Sequence, residues 1–72
     1  MINEEIKEKI EFYALKNAIN HEGKARVEPI LNKIIAENKD LLEKREELKE
    51  IIESVVNEIN SLSIEEQRKK FE

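Results

Sequence analysis

Apolar side chains recur along this chain every three to four residues, and nowhere do they alternate over the length of a strand. Helix is therefore the predicted element throughout. A first helix is expected from a cap at Asn3, with Glu4 and Glu5 in the first turn, where the helix dipole favours acids. Ile6, Ile10, Tyr13, Ala14 and Ala18 follow helical spacing, and Phe12, Leu15 and Ile19 widen the stripe. Asn20 and Gly23 are expected to end it, since glycine accepts the left-handed backbone that closes a helix and asparagine is next best. Val27, Ile30, Leu31, Ile34 and Ile35 predict a second helix. Pro29 must lie in its first turn, because deeper in the helix its ring would clash with the preceding turn. Proline also disfavours helical geometry at Glu28, so the start stays open between Val27 and Pro29.

A third helix, the longest, is expected after a cap at Asn38 or Asp40. Leu41, Leu42, Leu48, Ile51, Ile52, Val55, Val56 and Ile59 form its stripe, and Asp40–Lys44 is a favourable pair four residues apart. Positions 41, 45, 48, 52, 55 and 59 also trace a coiled-coil seam. Arg45 interrupts that seam, and Leu42, Ile51 and Val56 broaden the stripe beyond a two-strand contact, so packing inside a bundle is preferred. Asn60, Ser61 and Ser63 break the helix. "SIEE" then reads as a capping box of Ser63 with Glu66, opening a short last helix through Phe71. The expected fold is all-α: a small bundle of three main helices plus a C-terminal helix stub, in one domain spanning residues 1–72.

Charged residues make up 42% of the chain, against roughly 25% in average domains. They are mostly lysine and glutamate, a bias resembling that of heat-adapted proteins. The periodicity of the apolar residues argues against disorder. There is no cysteine, which excludes disulfides and thiolate metal sites. The opening residues are charged from Glu4 onwards, unlike a signal peptide or a membrane span, so the expectation is a cytoplasmic protein without membrane contact.

A net charge of −4 argues against a dedicated nucleic-acid binder and against DNA as a partner. The charge is uneven, however. Residues 13–36 hold Lys16, Lys24, Arg26 and Lys33 against Glu22 and Glu28, and are the only net-positive segment. That segment also contains "NAINHEGKARVEP" (17–29), with the chain's single glycine, histidine and proline.

Little else suggests chemistry. There is no Gly-rich phosphate loop, Ser/His/Asp set or His pair at metal spacing. His21 with Glu22 makes a poor metal site, because a structural zinc needs four ligands. Glu4, Glu8 and Glu11, like Glu43, Glu47 and Glu50, read as solvated helix faces flanked by lysines. No catalytic residue, metal or cofactor is assigned to this chain. Lys24 and Arg26 flank the start of the second helix, where free N–H groups and the dipole favour an anion. Glu28 already supplies negative charge there, so from spacing alone a polar, solvated turn is the simpler reading.

The stretch "YALKNAINHEGKARVEPILNKIIAEN" (13–38), followed by "VVNEINSLSIEEQ" (55–67), resembles the N-terminal extension of archaeal-type glutamyl-tRNA synthetases. That family typically reads Y-A-L-x-N-A, then G-K-A, then V-x-x-K-V-L-x-E-N, then V-N-S-L-S-P-E-E-Q. Tyr13, Ala14, Leu15, Asn17, Ala18, Gly23, Lys24, Ala25, Lys33, Glu37 and Asn38 match, as do Asn60, Ser61, Leu62, Ser63, Glu65, Glu66 and Gln67. Departures are Asn32 in place of a common glycine, Lys39 and Ile64 in place of common prolines, and Val27–Glu28 in place of a common Pro-Gly. The chain is more loosely similar to the tail domain of the tRNA-dependent amidotransferase B subunit and to the appended domain of eukaryotic glutaminyl-tRNA synthetases.

The resemblance implies an appended, non-catalytic module at the N-terminus of a longer ATP- and magnesium-dependent glutamate–tRNA ligase. Nothing here resembles the His-Ile-Gly-His or Lys-Met-Ser-Lys-Ser signatures of its catalytic part. The implied partners are tRNA, bound weakly through the parent enzyme, and the catalytic domain of the same chain. Lys24 and Arg26, with Lys16 and Lys33, are the candidates for RNA contact, while Gly23 and Pro29 shape the turn. A protein–protein docking module and a structural spacer are the alternatives from other classes.

Overall fold

Residues 3–72 are described by a computed structural model, in which helices α1 (Glu4–Asn20), α2 (Val27–Glu37), α3 (Arg45–Asn60) and α4 (Ile64–Phe71) follow in order. A 3₁₀ segment, Lys39–Lys44, precedes α3. There is no strand among the described residues, and the expected all-α bundle is what the chain forms.

Local signals set most of the boundaries. The Asn3 side chain accepts the Ile6 N–H at 3.0 Å, capping α1 as its sequence predicts. At α4 the Glu66 N–H donates to Ser63 Oγ at 3.2 Å and the Ser63 N–H donates to Glu66 Oε1 at 3.0 Å, completing the capping box. Helix α2 starts at Val27, which resolves the open boundary and puts Pro29 third, inside the first turn.

The entry to the third helix differs from expectation. Neither Asn38 nor Asp40 caps it. Asn38 finishes α2 instead, its backbone N–H and its Nδ2 both donating to the Ile34 carbonyl, at 2.9 and 3.3 Å. The chain then turns in 3₁₀ geometry, so α3 has 16 residues and α1, with 17, is the longest helix. Three residues per turn rotates Leu42 about 120° from Leu41. Leu41 is buried while Leu42 is 62% exposed, which removes Leu42 from the predicted stripe. The same rotation separates Asp40 from Lys44, and the only ion pair among the described residues is instead Arg45–Glu28 at 3.9 Å. Both partners are well exposed, so this pair adds little.

The core is continuous across the helices. Ile10, Ala14, Leu15 and Ala18 of α1 meet Ile30, Leu31 and Ile34 of α2, and Leu48, Ile52, Val56 and Ile59 of α3. Ala25 closes it from the turn and Leu41 from the 3₁₀ segment. Helix α4 is short but is not a loose stub: it lies on α1, with Phe71 stacked on Phe12 at 5.2 Å between centroids. Its one buried residue is a glutamine, Gln67.

Ile52 is fully buried at the centre of this core. Ile52→Ala is expected to cost about 2–5 kcal/mol in a urea or thermal unfolding measurement. Leu42→Ala, on the solvated side of the 3₁₀ segment, should stay within about 0.5 kcal/mol of the unaltered protein.

Candidate nucleic-acid interface

Helix α1 ends in a Schellman-type turn: the Gly23 N–H reaches back to the Ala18 carbonyl at 2.7 Å. In this turn the left-handed cap position falls on Glu22, with φ 59°, and not on glycine. Gly23 follows with φ 91°, so two successive residues take positive φ. Asn20, expected to help end the helix, stays helical. His21 receives the role that its sequence left open. Its Nδ1 lies 2.7 Å from the Asn17 carbonyl, so a ring N–H there satisfies one of the acceptors left over at the helix end.

Backbone polar groups leaving this turn have no helix partners, and amide side chains from three other places supply them. Asn60, the last residue of α3, accepts the Ala25 N–H at 2.7 Å and donates to the Ala25 carbonyl at 3.1 Å. Asn17 of α1 accepts the Arg26 N–H at 3.0 Å. Gln67 of α4 is fully buried, and its Nε2 donates to the carbonyls of Gly23 and Ile59, both at 2.9 Å. Its Oε1 has no hydrogen-bond partner. Three acceptor carbonyls around the nitrogen, the third being Leu62 at 3.4 Å, fix which end of the amide faces them.

Lys24 and Arg26 lie among these tied positions, and both are exposed. They line an open depression with Asn20, His21 and Glu22. Lys16 and Lys33 line a neighbouring groove with Tyr13, Asn17, Asn20, Pro29 and Ile30. Asn20 borders both, so the four predicted cations fall into two pairs on adjoining surfaces. Lys33 Nζ sits 4.9 Å from the Tyr13 ring centroid, a cation–π contact. The Tyr13 hydroxyl donates to the Glu37 carboxylate at 2.8 Å, and this bond is the main cause that raises the Tyr13 pKa.

The start of α2 is a poorer anion site than its position suggests. The Arg26 amide is taken by Asn17, Pro29 has no N–H, and the Glu28 carboxylate stands in the first turn. Any phosphate contact there depends on the side chains of Lys24 and Arg26, not on the helix end. Among the described residues no three histidine, cysteine or acidic side chains gather to hold a metal. No described helix is long and apolar enough to cross a membrane.

Spacing gave no sign that Asn17, Asn60 and Gln67 share a task. The available signal was their presence among the residues that carry the family resemblance.

Over most of its length the chain is similar to proteins named glutamate–tRNA ligase from several archaea. It is 48% identical to that of Pyrococcus furiosus over 60 residues, which are 83% of this chain and 10% of the relative. The corresponding protein of Thermococcus kodakarensis is 45% identical over 68 residues, 94% of this chain and 12% of the relative. That of Sulfolobus acidocaldarius is 39% identical over 71 residues, 99% and 12% respectively. The chain thus spans about a tenth of the length of the curated relatives it matches. No family model matches it, and no solved structure matches it.

Two outcomes are expected from the turn and its cap. At Gly23 a Cβ would meet Ile64 Cγ1 at 3.1 Å and would have to sit at positive φ. Gly23→Ala should therefore cost about 1–2 kcal/mol from backbone strain, read from denaturant unfolding. The Glu66 pKa is lowered, first by its bond from the Ser63 backbone and then by the Ser63 side chain. A depressed carboxylate pKa gives stability that is present above the usual glutamate range and is lost as the pH falls through it. Melting temperature against pH should fall less steeply on the acid side in Glu66→Gln, which keeps the cap without titrating.

Proposed function

We propose that this chain is the non-catalytic N-terminal extension of an archaeal-type glutamate–tRNA ligase and assists tRNA binding. The observation that carries the reading is similarity to such ligases over nearly the whole chain, at 39–48% identity in the three comparisons above. In this reading attachment of glutamate to tRNA, with ATP and magnesium, belongs to the rest of the parent, which works in the cytoplasm. The extension contributes cations. Lys24 and Arg26 meet RNA phosphates from the turn, and Lys16 and Lys33 extend the same basic surface along α1 and α2.

Such contacts are electrostatic, carry little sequence information and weaken with salt. A chain of net charge −4 binds weakly on this basis, which suits an accessory contact within a larger enzyme. One feature favours a second contact. Phe12 and Phe71 are 48% and 38% exposed although stacked on one another, an apolar surface suited to packing against the catalytic domain of the same chain.

In the parent enzyme, Lys24→Ala combined with Arg26→Ala should raise the KM for tRNA several-fold and leave amino-acid activation unchanged, the signature of lost uniform binding. The effect should shrink as salt rises, by roughly 0.7–0.9 log units per log unit of salt for each phosphate contact removed. Charging kinetics at two salt concentrations check this. An unchanged KM at both would leave residues 21–26 as a solvated connection.

A further inference from the structure

The two exposed cations of the turn are bracketed by backbone groups that other helices hold. The Gly23 carbonyl, both polar groups of Ala25 and the Arg26 N–H are bonded by side-chain amides of Gln67, Asn60 and Asn17 respectively. Each amide comes from a different helix, and none of the three bears a charge or hydrogen-bonds the side chain of Lys24 or Arg26. Their common effect is to fix the backbone on both sides of Lys24 and immediately before Arg26.

We infer that Asn17, Asn60 and Gln67 are positioning residues for RNA: they hold the 23–26 backbone so that Lys24 and Arg26 face the phosphates already ordered. This rests on the proposed tRNA role and adds a mechanism to it. A loop ordered before binding loses less conformational freedom on contact, and that saving appears directly as affinity. Asn60 is the central member because it closes a two-point amide pairing with Ala25, the residue between the two cations. Gln67 couples the same loop to α4 through the Gly23 carbonyl.

The test is a double-mutant cycle on the full chain, reading affinity for bulk tRNA at low salt. Its four members are the unaltered chain, Asn60→Ala, Lys24→Ala with Arg26→Ala, and the combination. Asn60→Ala should weaken binding roughly two- to tenfold while both cations are present. It should do almost nothing once they are gone. Amide exchange at Ala25 should accelerate in Asn60→Ala while that of core residues such as Ile52 is unchanged.

Equal losses in both backgrounds, or no loss in either, would overturn the positioning role and leave Asn60 as a fold residue. A chain whose tRNA affinity is indifferent to removing Lys24 and Arg26, or which does not bind tRNA measurably, would overturn the proposed function itself. If Asn60→Ala does not fold, Asn17→Ala takes its place in the same cycle. It removes only the acceptor for the Arg26 N–H, and it carries the same expectation and the same refutation.

Discussion

Everything distinctive about this small bundle follows from one requirement: the backbone polar groups of a tight helix–helix turn must find partners. Helix α1 stops against two residues of positive φ, and the chain then runs extended at Arg26 before α2 begins. Extended backbone in a turn cannot satisfy itself. Carboxamide side chains solve this well, because each carries a donor and an acceptor at a spacing that mimics a peptide group. Asn60 uses both on the same residue. The cost falls on Gln67, whose Oε1 is buried without a partner so that Nε2 can serve carbonyls from three segments. A group left that way typically costs about 1–3 kcal/mol, which shows how much the nitrogen's bonds must return.

This requirement also explains the composition of the turn. Gly23 sits where α4 crosses, so a side chain there would press on Ile64. Pro29 stiffens the first turn of α2 where no donor is needed. His21 supplies a ring nitrogen to a leftover carbonyl. The three special residues are gathered together because four helices meet there, and any contact with RNA uses the side chains that remain outside the junction.

What could be read in advance divides by range. Caps are local, so Asn3 and the Ser63–Glu66 box were legible from four consecutive residues. The α1, α2 and α3 core positions were legible because aliphatic periodicity reports burial, although the same spacing took Phe12 into the α1 stripe, where it is 48% exposed. The same method was blind to Gln67, since a buried amide contributes no apolar signal. It was equally blind to the Asn60–Ala25 pairing, which spans 35 residues. The 3₁₀ entry to α3 was hidden because Leu41 and Leu42 look equivalent until the turn pitch is known. Glu22 took the left-handed position that glycine was expected to fill, because the Schellman bond from Gly23 to Ala18 fixes the count. Of the candidate cations, Lys24 and Arg26 could be grouped from their nearness along the chain, while the grouping of Lys16 with Lys33 could not, since it depends on how α1 and α2 cross.

The sequence distance of the amide contacts has a consequence for the order of assembly. Synthesis delivers α1, the turn and α2 first, while the Gly23 carbonyl waits for a partner 44 residues later. Synthesis, at roughly 5–20 residues per second, is far slower than helix formation or loop closure. A nascent chain therefore carries an unfinished junction until α4 has emerged, and the turn is fully bonded last. Quality of this turn is thus a report on completion: it is correct only when the segment through Gln67 has been made and docked.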